Sequence, residues 1–341
     1  MTSWRNPPWH YNQIFSTRSE IETLGWGQRL TNLPDAWKQT RGAGVKVAVL
    51  DTGCDIQHPD LAGQIITAKD FSGSSYGPAD VQGHGTHCAG IIAAMENDQG
   101  CIGVCPDLKK NGGGLLIGKC LNDSGVGYNS KIADAIRWAI AEKADIISMS
   151  LGSPQTSREI EIALQLAANQ GIFVICAAGN DGQSDSVNWP AKSPSTVAVA
   201  AVGEDKVVAQ YSSRGPEVDI SAPGSNIMST WINGEYASIS GTSMATPFVA
   251  GVAALIISKH RAEGGETPVE DVAHLRDHLT RHAIDIGKEG RDDDTGWGLI
   301  DPVGSLAADD PGDAKIDLME LERLLRAALS LMEGKKGGDN C

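Results

Sequence analysis

Residues 45–53 read VKVAVLDTG, and this stretch decides the fold. Its first six residues are apolar apart from one lysine, which is typical of a buried strand, and the strand stops at the Asp-Thr-Gly turn. Similar apolar runs follow at 146–151, 172–178 and 197–202, with apolar residues at helical spacing between them. Buried strands that alternate with helices predict an α/β fold, with a mostly parallel sheet and helices on both faces.

The composition is that of a globular chain of 341 residues. Hydrophobic residues make up 41% and charged residues 21%, and no apolar run approaches the roughly 18 residues that predict a transmembrane helix. Residues 1–20 lack the basic start and apolar stretch of a signal peptide, so we expect a cytoplasmic protein; a trimmed form of a secreted protein is the alternative. The net charge of −15 argues against nucleic acid or an anionic membrane as a partner.

The seven cysteines fit no small disulfide framework, because their number is odd and their spacing irregular. Cys101 and Cys105 could supply half of a zinc site, but a matching Cys or His pair is missing, and Cys120 alone is thin support. We expect buried free thiols, which favours a reducing compartment.

Three short segments carry an acid, an imidazole and a hydroxyl: DTG at 51–53, HGTH at 84–87 and GTSMA at 241–245. A serine hydroxyl becomes nucleophilic when a neighbouring imidazole takes its proton, and a buried carboxylate orients that imidazole. Taken singly, the segments are also typical of a strand-end turn, a histidine pair or metal site, and a helix N-terminus. Together, in this order and on this fold pattern, they predict nucleophilic acyl transfer.

The chain resembles the subtilases, the subtilisin family of serine endopeptidases, over roughly residues 21–302. The resemblance rests on DTGCDIQHPDL at 51–61, GHGTHCAG at 83–90, SMSLG at 148–152, AAGN at 177–180 and SGTSMATPFVAG at 240–251. It implies a three-layer subtilisin-like fold. It also implies hydrolysis of peptide bonds in proteins, through an acyl-enzyme and with broad specificity.

The resemblance assigns a catalytic role to four residues. Asp51 would orient the imidazole, His84 would be the general acid and base, and Ser243 would be the nucleophile. The side-chain amide of Asn180 would donate to the oxyanion of the tetrahedral intermediate. His87 would be a helical neighbour and not the base.

The resemblance further implies that an extended substrate binds by main-chain pairing. The implied substrate-binding residues line two segments and the pocket for the residue before the cut: Gly125, Val126, Gly127, Ser150, Leu151, Gly152, Ala178, Gly179 and Asn188. Asn188 stands where the family often has glycine, so we expect it to narrow or polarise the pocket floor. Without the three catalytic segments, both binding segments could be plain turns.

Calcium is the implied cofactor. Hard oxygen ligands for a first site would come from Glu22, Asp60, Met95, Asn97, Gln99 and Cys101. A weaker second cation site would use Glu217 and Asp219 with carbonyls near residues 191–196. Solvated acidic loops are the alternative for both. An EF-hand-like spacing that begins at Asp309 lacks two required positions, which favours a linker and a helix cap there.

The chain is most similar to the intracellular subtilisins, because residues 1–20 are too few for the folded prodomain of the secreted enzymes. In that subgroup a short N-terminal extension lies across the active site. We therefore expect residues 1–20 to be an inhibitory prosegment with Pro7, Pro8 and Trp9 near the nucleophile, since proline fixes φ and lacks an N–H. Self-cleavage near residues 16–21 would remove it. A disordered arm is the alternative.

Residues 303–341 are expected to form a linker, a helix over 317–332 and a tail. Five apolar residues share one face of that helix: Leu318, Leu321, Leu325, Ala328 and Met332. This face would dock onto the domain or form a homodimer contact. Besides a peptidase acting on protein or peptide substrates, two rival functions remain at this point: a peptide-binding pseudoprotease and a cysteine-based metal or redox protein.

Overall fold

The structure is a computed structural model, and it describes residues 3–5, 10–15, 22–264 and 272–307. The described strands are β1 Ser3–Arg5, β2 His10–Phe15, β3 Lys46–Asp51, β4 Ile65–Asp70, β5 Gly114–Lys119, β6 Val126–Tyr128, β7 Ile146–Met149, β8 Phe173–Ala177, β9 Val197–Val202, β10 Ile220–Pro223, β11 Ile227–Thr230 and β12 Tyr236–Ser240. The described helices are α1 Trp26–Leu30, α2 Leu33–Ala36, α3 His84–Ala93, α4 Asn129–Ala141, α5 Arg158–Asn169, α6 Thr242–Ala262, α7 Val272–Arg281 and α8 Pro302–Ser305.

A seven-stranded sheet forms the centre of the molecule, in the order β10-β9-β8-β7-β3-β5-β4. Every neighbouring pair in it is parallel. The four apolar runs of the sequence form β3, β7, β8 and β9 at the middle of this sheet, where both faces are covered. The predicted α/β class is therefore confirmed.

Two apolar clusters fill the space on either side of the sheet. One joins α3 and α6 to the strands, and the other joins α4 and α5 to the opposite faces of the same strands. Alternate residues of β3 divide between them, with Val47 and Val49 in the first cluster and Ala48 and Leu50 in the second. This alternation produces the three layers.

Helix α6 is the core helix of the first layer. By length and composition it is the one described helix that could cross a membrane, but 94% of its apolar window is buried inside the protein. It is therefore a buried core element, as its apolar sequence from Met244 onward indicates.

The described chain continues past residue 302, the predicted boundary of the domain. Helix α8 follows, and Leu306 is buried with 2% of its surface exposed. Residues 1–306 form one compact unit.

Two small antiparallel sheets flank the active-site edge of the large one. β1 pairs with β6, and β2 joins the hairpin of β11 and β12 by pairing with β12. Both pairings bring segments near the N-terminus to the catalytic domain.

Candidate active site

Asp51 and His84 form a buried pair at the carboxyl edge of the large sheet. Asp51 is the last residue of β3, and His84 is the first residue of α3. His84 Nδ1 lies 2.9 Å from Asp51 Oδ1, and the two side chains are 0% and 1% exposed. The backbone N–H of Thr52 donates to the same oxygen at 2.7 Å. The structure thus brings together the residues that the sequence assigned as base and orienting acid.

The pKa of His84 reflects two opposing effects. Burial is the largest single effect and lowers it, because an imidazolium loses solvation, but the charge and hydrogen-bond interactions with Asp51 and Cys88 together raise the pKa well above its ordinary value. Cys88 also lies near the ring, with Sγ 3.9 Å from Nδ1. Burial raises the pKa of the Cys88 thiol.

His87 has a structural position. Its Nε2 lies 3.0 Å from the carbonyl oxygen of Ile227 and 3.1 Å from that of Ala237, on β11 and β12. Burial lowers the pKa of His87 to about 3. The ring is therefore neutral and tethers α3 to the hairpin.

Ser243 lies in the first turn of α6, after the N-cap residue Gly241. Its carbonyl oxygen accepts hydrogen bonds from the Ser150 hydroxyl at 2.8 Å and from the Cys88 thiol at 3.4 Å. The Cys88 sulfur also contacts the His84 ring. The same thiol therefore contacts both the Ser243 carbonyl oxygen and the imidazole. The Ser243 hydroxyl is buried and makes no hydrogen bond to another described residue. Ser243 and His84 are both fully buried, and both contact the Cys88 thiol.

Thr242 orients the side-chain amide of Asn180. Asn180 Oδ1 accepts from the Thr242 backbone N–H at 3.0 Å and from its hydroxyl at 2.8 Å. The Nδ2 atom therefore faces the other way and would lie 3.1 Å from a Cβ on Gly241, at the start of the helix that carries Ser243. The sequence analysis missed Thr242, whose place directly before the serine was the available signal.

Residues 3–5 lie between the two segments that are predicted to bind an extended peptide, and they pair with both. β1 pairs with β6, and Trp4 lies opposite Gly127. On the other side Arg5 and Gly152 exchange two backbone hydrogen bonds, of 3.1 Å from the Arg5 N–H and 2.9 Å from the Gly152 N–H. The cleft therefore holds its own N-terminal segment as a middle strand.

Trp4 fills an apolar pocket in this cleft. Its side chain is 1% exposed and belongs to the same cluster as Leu121, Ile132 and Leu151. Its indole N–H donates to the side-chain oxygen of Asn129. The sequence analysis assigned no role to Trp4 or Asn129, because the arm shows no periodicity that would predict a buried face.

Asn188 fills the space between two of the predicted pocket walls. A Cβ on Gly152 would lie 3.1 Å from Asn188 Cβ, and one on Gly179 (φ +118°) would lie 2.4 Å from Asn188 Nδ2. The Asn188 backbone N–H donates to the carbonyl of Ala178 at 2.8 Å. Its side-chain amide donates to Asp181 Oδ2 at 2.8 Å. Asn188 therefore takes up space between Gly152 and Gly179 and places a polar amide there. Its hydrogen bond to Asp181 was not predicted.

Glu22, Asp60 and Asn97 meet at the loop that follows α3. The Asn97 backbone N–H donates to Glu22 Oε1 at 2.8 Å, and its side-chain amide lies 3.1 Å from Asp60 Oδ1. The other Asp60 oxygen accepts from the Cys101 N–H at 3.4 Å and the Tyr236 hydroxyl at 3.0 Å. Three of the predicted calcium-ligating side chains are thus adjacent.

The donor set fits a hard divalent cation. The loop closes on these side chains, since the Met95 N–H donates to the Asp60 carbonyl at 3.0 Å and the Gln99 N–H donates to the Asn97 side chain at 3.3 Å. Burial raises the pKa of Asp60 and of Glu22, where nearby carboxylates add to the rise. A divalent cation would stabilise this clustered negative charge.

The predicted second cation site is instead held by basic side chains. Arg276 Nε lies 3.0 Å from Asp219 Oδ1, and both side chains are 6% exposed. Asp219 Oδ2 accepts the Ala198 N–H at 2.7 Å. Lys192 Nζ lies 3.8 Å from Glu217 Oε1.

Arg276 also binds the carbonyls predicted to ligate the cation. Its Nη2 donates to the oxygens of Thr196 at 2.7 Å and Pro194 at 3.2 Å. A guanidinium thus supplies the positive charge that the sequence analysis assigned to an ion. Asp219 is thus held in a buried ion pair with Arg276, and the second cation site stays a prediction of the sequence.

The described cysteines, Cys54, Cys88, Cys101, Cys105, Cys120 and Cys176, are buried free thiols. Within the described ranges, one cluster of three potential metal ligands occurs, with ligand atoms of Asp51, His84 and Cys88 inside 4.8 Å of one another. It is the acid–base pair with its neighbouring thiol. Pro7, Pro8 and Trp9 lie outside the described residues, as does the helix predicted at 317–332.

The chain is similar to known serine proteases over most of its length. Residues 42–298 match the pattern of the subtilase family. An intracellular serine protease of Paenibacillus polymyxa is 43% identical over 72% of this chain and 76% of its own length. The major intracellular serine protease of Bacillus subtilis is 41% identical, over 70% and 76%. Subtilisin E of Bacillus subtilis is 44% identical, over 72% of this chain and 62% of its own length.

Replacing Asp51 with Asn should lower kcat on a short peptide substrate by about 10⁴-fold, as in other triads. The base must be neutral to act, so activity is lost as the pH falls through the pKa of His84. Because Asp51 raises that pKa, the acid limb of kcat/KM should move to lower pH in the variant. Parallel pH profiles check this, with Asp35→Asn on exposed α2 as the control that changes neither. Acid limbs at the same pH in both catalytic forms would contradict the assignment.

Proposed function

The chain belongs to the subtilase family of serine proteases, and we propose that it is a calcium-supported cytoplasmic endopeptidase that acts through Asp51, His84, Ser243 and Asn180. The observation that carries this proposal is the buried 2.9 Å contact between His84 and Asp51, next to a cleft that accepts an extended backbone. The relatives named as intracellular and the buried free thiols support the cytoplasmic location.

The reaction forms and then breaks an ester on Ser243. Ser243 Oγ attacks the scissile carbonyl carbon while His84 Nε2 takes its proton, and Asp51 stabilises the imidazolium. The Asn180 amide and the Ser243 backbone N–H donate to the oxyanion. When the intermediate collapses, the C–N bond breaks and His84 gives its proton to the leaving amine. Water then repeats the sequence on the acyl-enzyme and releases the acid.

Calcium at the first site would be held by Glu22, Asp60, Asn97 and the loop carbonyls of Met95, Gln99 and Cys101. When bound, it would neutralise the clustered carboxylates and stabilise this loop; it takes no part in bond cleavage. The acidic chain argues against nucleic-acid and membrane partners. A homodimer through the helix predicted at 317–332 remains a proposal of the sequence alone.

The N-terminal extension, residues 1–20, is proposed to be an inhibitory prosegment, so that the enzyme is made as a zymogen. Support comes from its paired backbone: residues 3–5 lie where a substrate strand would lie, and residues 10–15 pair with β12. Trp4 anchors the first segment by filling the apolar pocket. Arg5 contributes its backbone, and its side chain is exposed.

The central test of this function is casein hydrolysis by the full chain and by its Ser243→Ala variant. Only the chain with Ser243 should cleave casein, and an activity-based phosphonate should label Ser243. Intact casein and no label, both in the full chain and in a form without residues 1–20, would instead identify a peptide-binding pseudoprotease. Chelation with EDTA should lower both activity and Tm, and added calcium should restore them. A Tm that EDTA leaves unchanged would reject the calcium site.

Replacing Trp4 with Ala should raise the initial rate on a short peptide. Loss of a buried tryptophan typically costs about 3–5 kcal/mol, which is on the order of 100-fold or more in occupancy of the cleft. Arg5→Ala is the matched control, because the exposed side chain can be removed without loss of the backbone pairs. Deletion of residues 1–20 sets the upper limit of the rate, and an unchanged initial rate after that deletion would remove the inhibitory role.

Replacing Asn188 with Gly should open the pocket for the residue before the cut. The kcat/KM ratio of a large aromatic to a small residue at that position should rise on the order of 10-fold to 100-fold, the range that small changes in pocket volume produce. Asp181→Asn separates the effects, since it removes the charge and keeps the volume. Peptide-library cleavage provides the measurement. A dominant preference of the wild type for large aromatic residues would show that Asn188 does not narrow the pocket.

A further inference from the structure

A buried carboxylate, Asp80, binds the start of the helix that carries His84. It is 6% exposed, and its Oδ1 accepts the backbone N–H groups of Gln82 at 3.0 Å and Gly83 at 2.9 Å. Its Oδ2 accepts the Thr86 N–H at 2.9 Å and the Thr86 hydroxyl at 2.8 Å. The N–H groups at a helix start have no partner within the helix, so Asp80 satisfies several of them at once.

The same carboxylate reaches the strand that carries Asp51. The Thr52 hydroxyl donates to Asp80 Oδ1 at 3.0 Å and accepts the Gly85 N–H at 2.9 Å. Thr52 follows Asp51 in the chain, and Gly85 follows His84. One fully buried hydroxyl therefore joins the residue after the acid to the residue after the base.

Lys119 completes the buried network from the neighbouring strand β5. Its side chain is fully buried, and Nζ donates to the carbonyls of Thr52 and Ala79 at 2.9 Å each. The charge of Nζ is paired with Asp123 Oδ1 at 2.7 Å. Lys119 therefore binds the backbone of the turn after Asp51, at Thr52, and the backbone of the loop before Asp80, at Ala79.

We propose that Thr52 and Asp80 are positioning residues, which hold the end of β3 and the start of α3 at the spacing that the Asp51–His84 hydrogen bond requires. Neither residue contacts the scissile bond; both act through the catalytic pair. Thr52 is the link, because its N–H binds the Asp51 carboxylate while its hydroxyl binds the His84 helix. This inference rests on the proposed acid–base role of His84.

We call the hydrogen bonds that Thr52 and Asp80 make between β3 and α3 the brace. It acts on the Asp51–His84 pair and not on the substrate-binding segments. The cleft segments Gly125–Gly127 and Ser150–Gly152 lie on other elements, so loosening of the brace should leave KM unchanged and lower kcat. Misplacement by about 1 Å can cost on the order of 100-fold in rate. A longer Asp51–His84 distance would also weaken the effect of the carboxylate on the imidazole.

The test compares Thr52→Val with Thr52→Ser in the full chain. Valine keeps the shape and removes the hydroxyl, so kcat should fall on the order of 10-fold to 100-fold, with KM within about twofold, and the acid limb should move to lower pH. Serine keeps the hydroxyl and should restore both. Among the described residues, the titratable groups that interact with His84 are Asp51 on β3 and Cys88 and His87 on α3; all remain in both variants, so a shift of the limb reports on the spacing.

A buried hydroxyl also contributes to stability, so a control separates the two effects. Thr31→Val removes a buried hydroxyl at the C-cap of α1, which donates to the Gly27 carbonyl at 2.8 Å. It should lower Tm without a change in kcat or in the acid limb. If Thr52→Val does the same, the brace is only structural and the inference is wrong.

Asp80→Asn provides a second route if Thr52→Val fails to fold. Its side chain retains one carbonyl oxygen for Thr52, Gln82 and Gly83, but its NH₂ group cannot accept from Thr86. The same fall in kcat and shift of the acid limb are expected, and unchanged values would overturn the inference. Wild-type activity is measured in parallel, with and without residues 1–20; if the wild type stays inactive in both forms, the proposed function is rejected and not the brace.

Discussion

The close approach of the β3 end to the α3 start is the constraint on which the active site depends. A Cβ on Gly85 would lie 2.2 Å from the Gly53 carbonyl oxygen, so a residue larger than glycine would displace the helix from the strand. This approach places the Asp51 carboxylate against the His84 ring in a buried site. The electrostatic interaction of such a pair is stronger there than in water, so Asp51 contributes to the raised pKa of His84 although burial lowers it.

The parallel sheet supplies the second requirement, a single edge at which distant segments meet. Asp51 follows β3 and Asn180 follows β8, so both reach the carboxyl edge, where sites collect in such folds. Helix α6 then brings Ser243 to that edge because its apolar surface is almost completely buried. Ser243 is therefore positioned by core packing, whereas the helix that begins at His84 is held by a buried polar network.

Much of the fold and of the catalytic set could be predicted because both leave local patterns. Central parallel strands are buried on both faces and become continuous apolar runs, as at 45–50 and 197–202. The edge strand β4 escaped prediction because its residues are partly exposed, and β10–β12 are short. The ion pair of Asp219 with Arg276 was not predicted, because Arg276, more than fifty residues beyond Asp219, lies in no shared motif. Spacing in the sequence could not reveal that ion pair.

The sequence by itself determined the chemical groups and the order of the layers: an acid, an imidazole and a hydroxyl on strands and helices of known period. Tertiary structure alone decided what those groups contact. It placed Trp4 in the cleft, oriented the Asn180 amide through Thr242, and joined Asp80 to Thr52. These contacts depend on backbone pairing and side-chain packing between segments far apart in the chain, and local residue patterns carry no information about such distances.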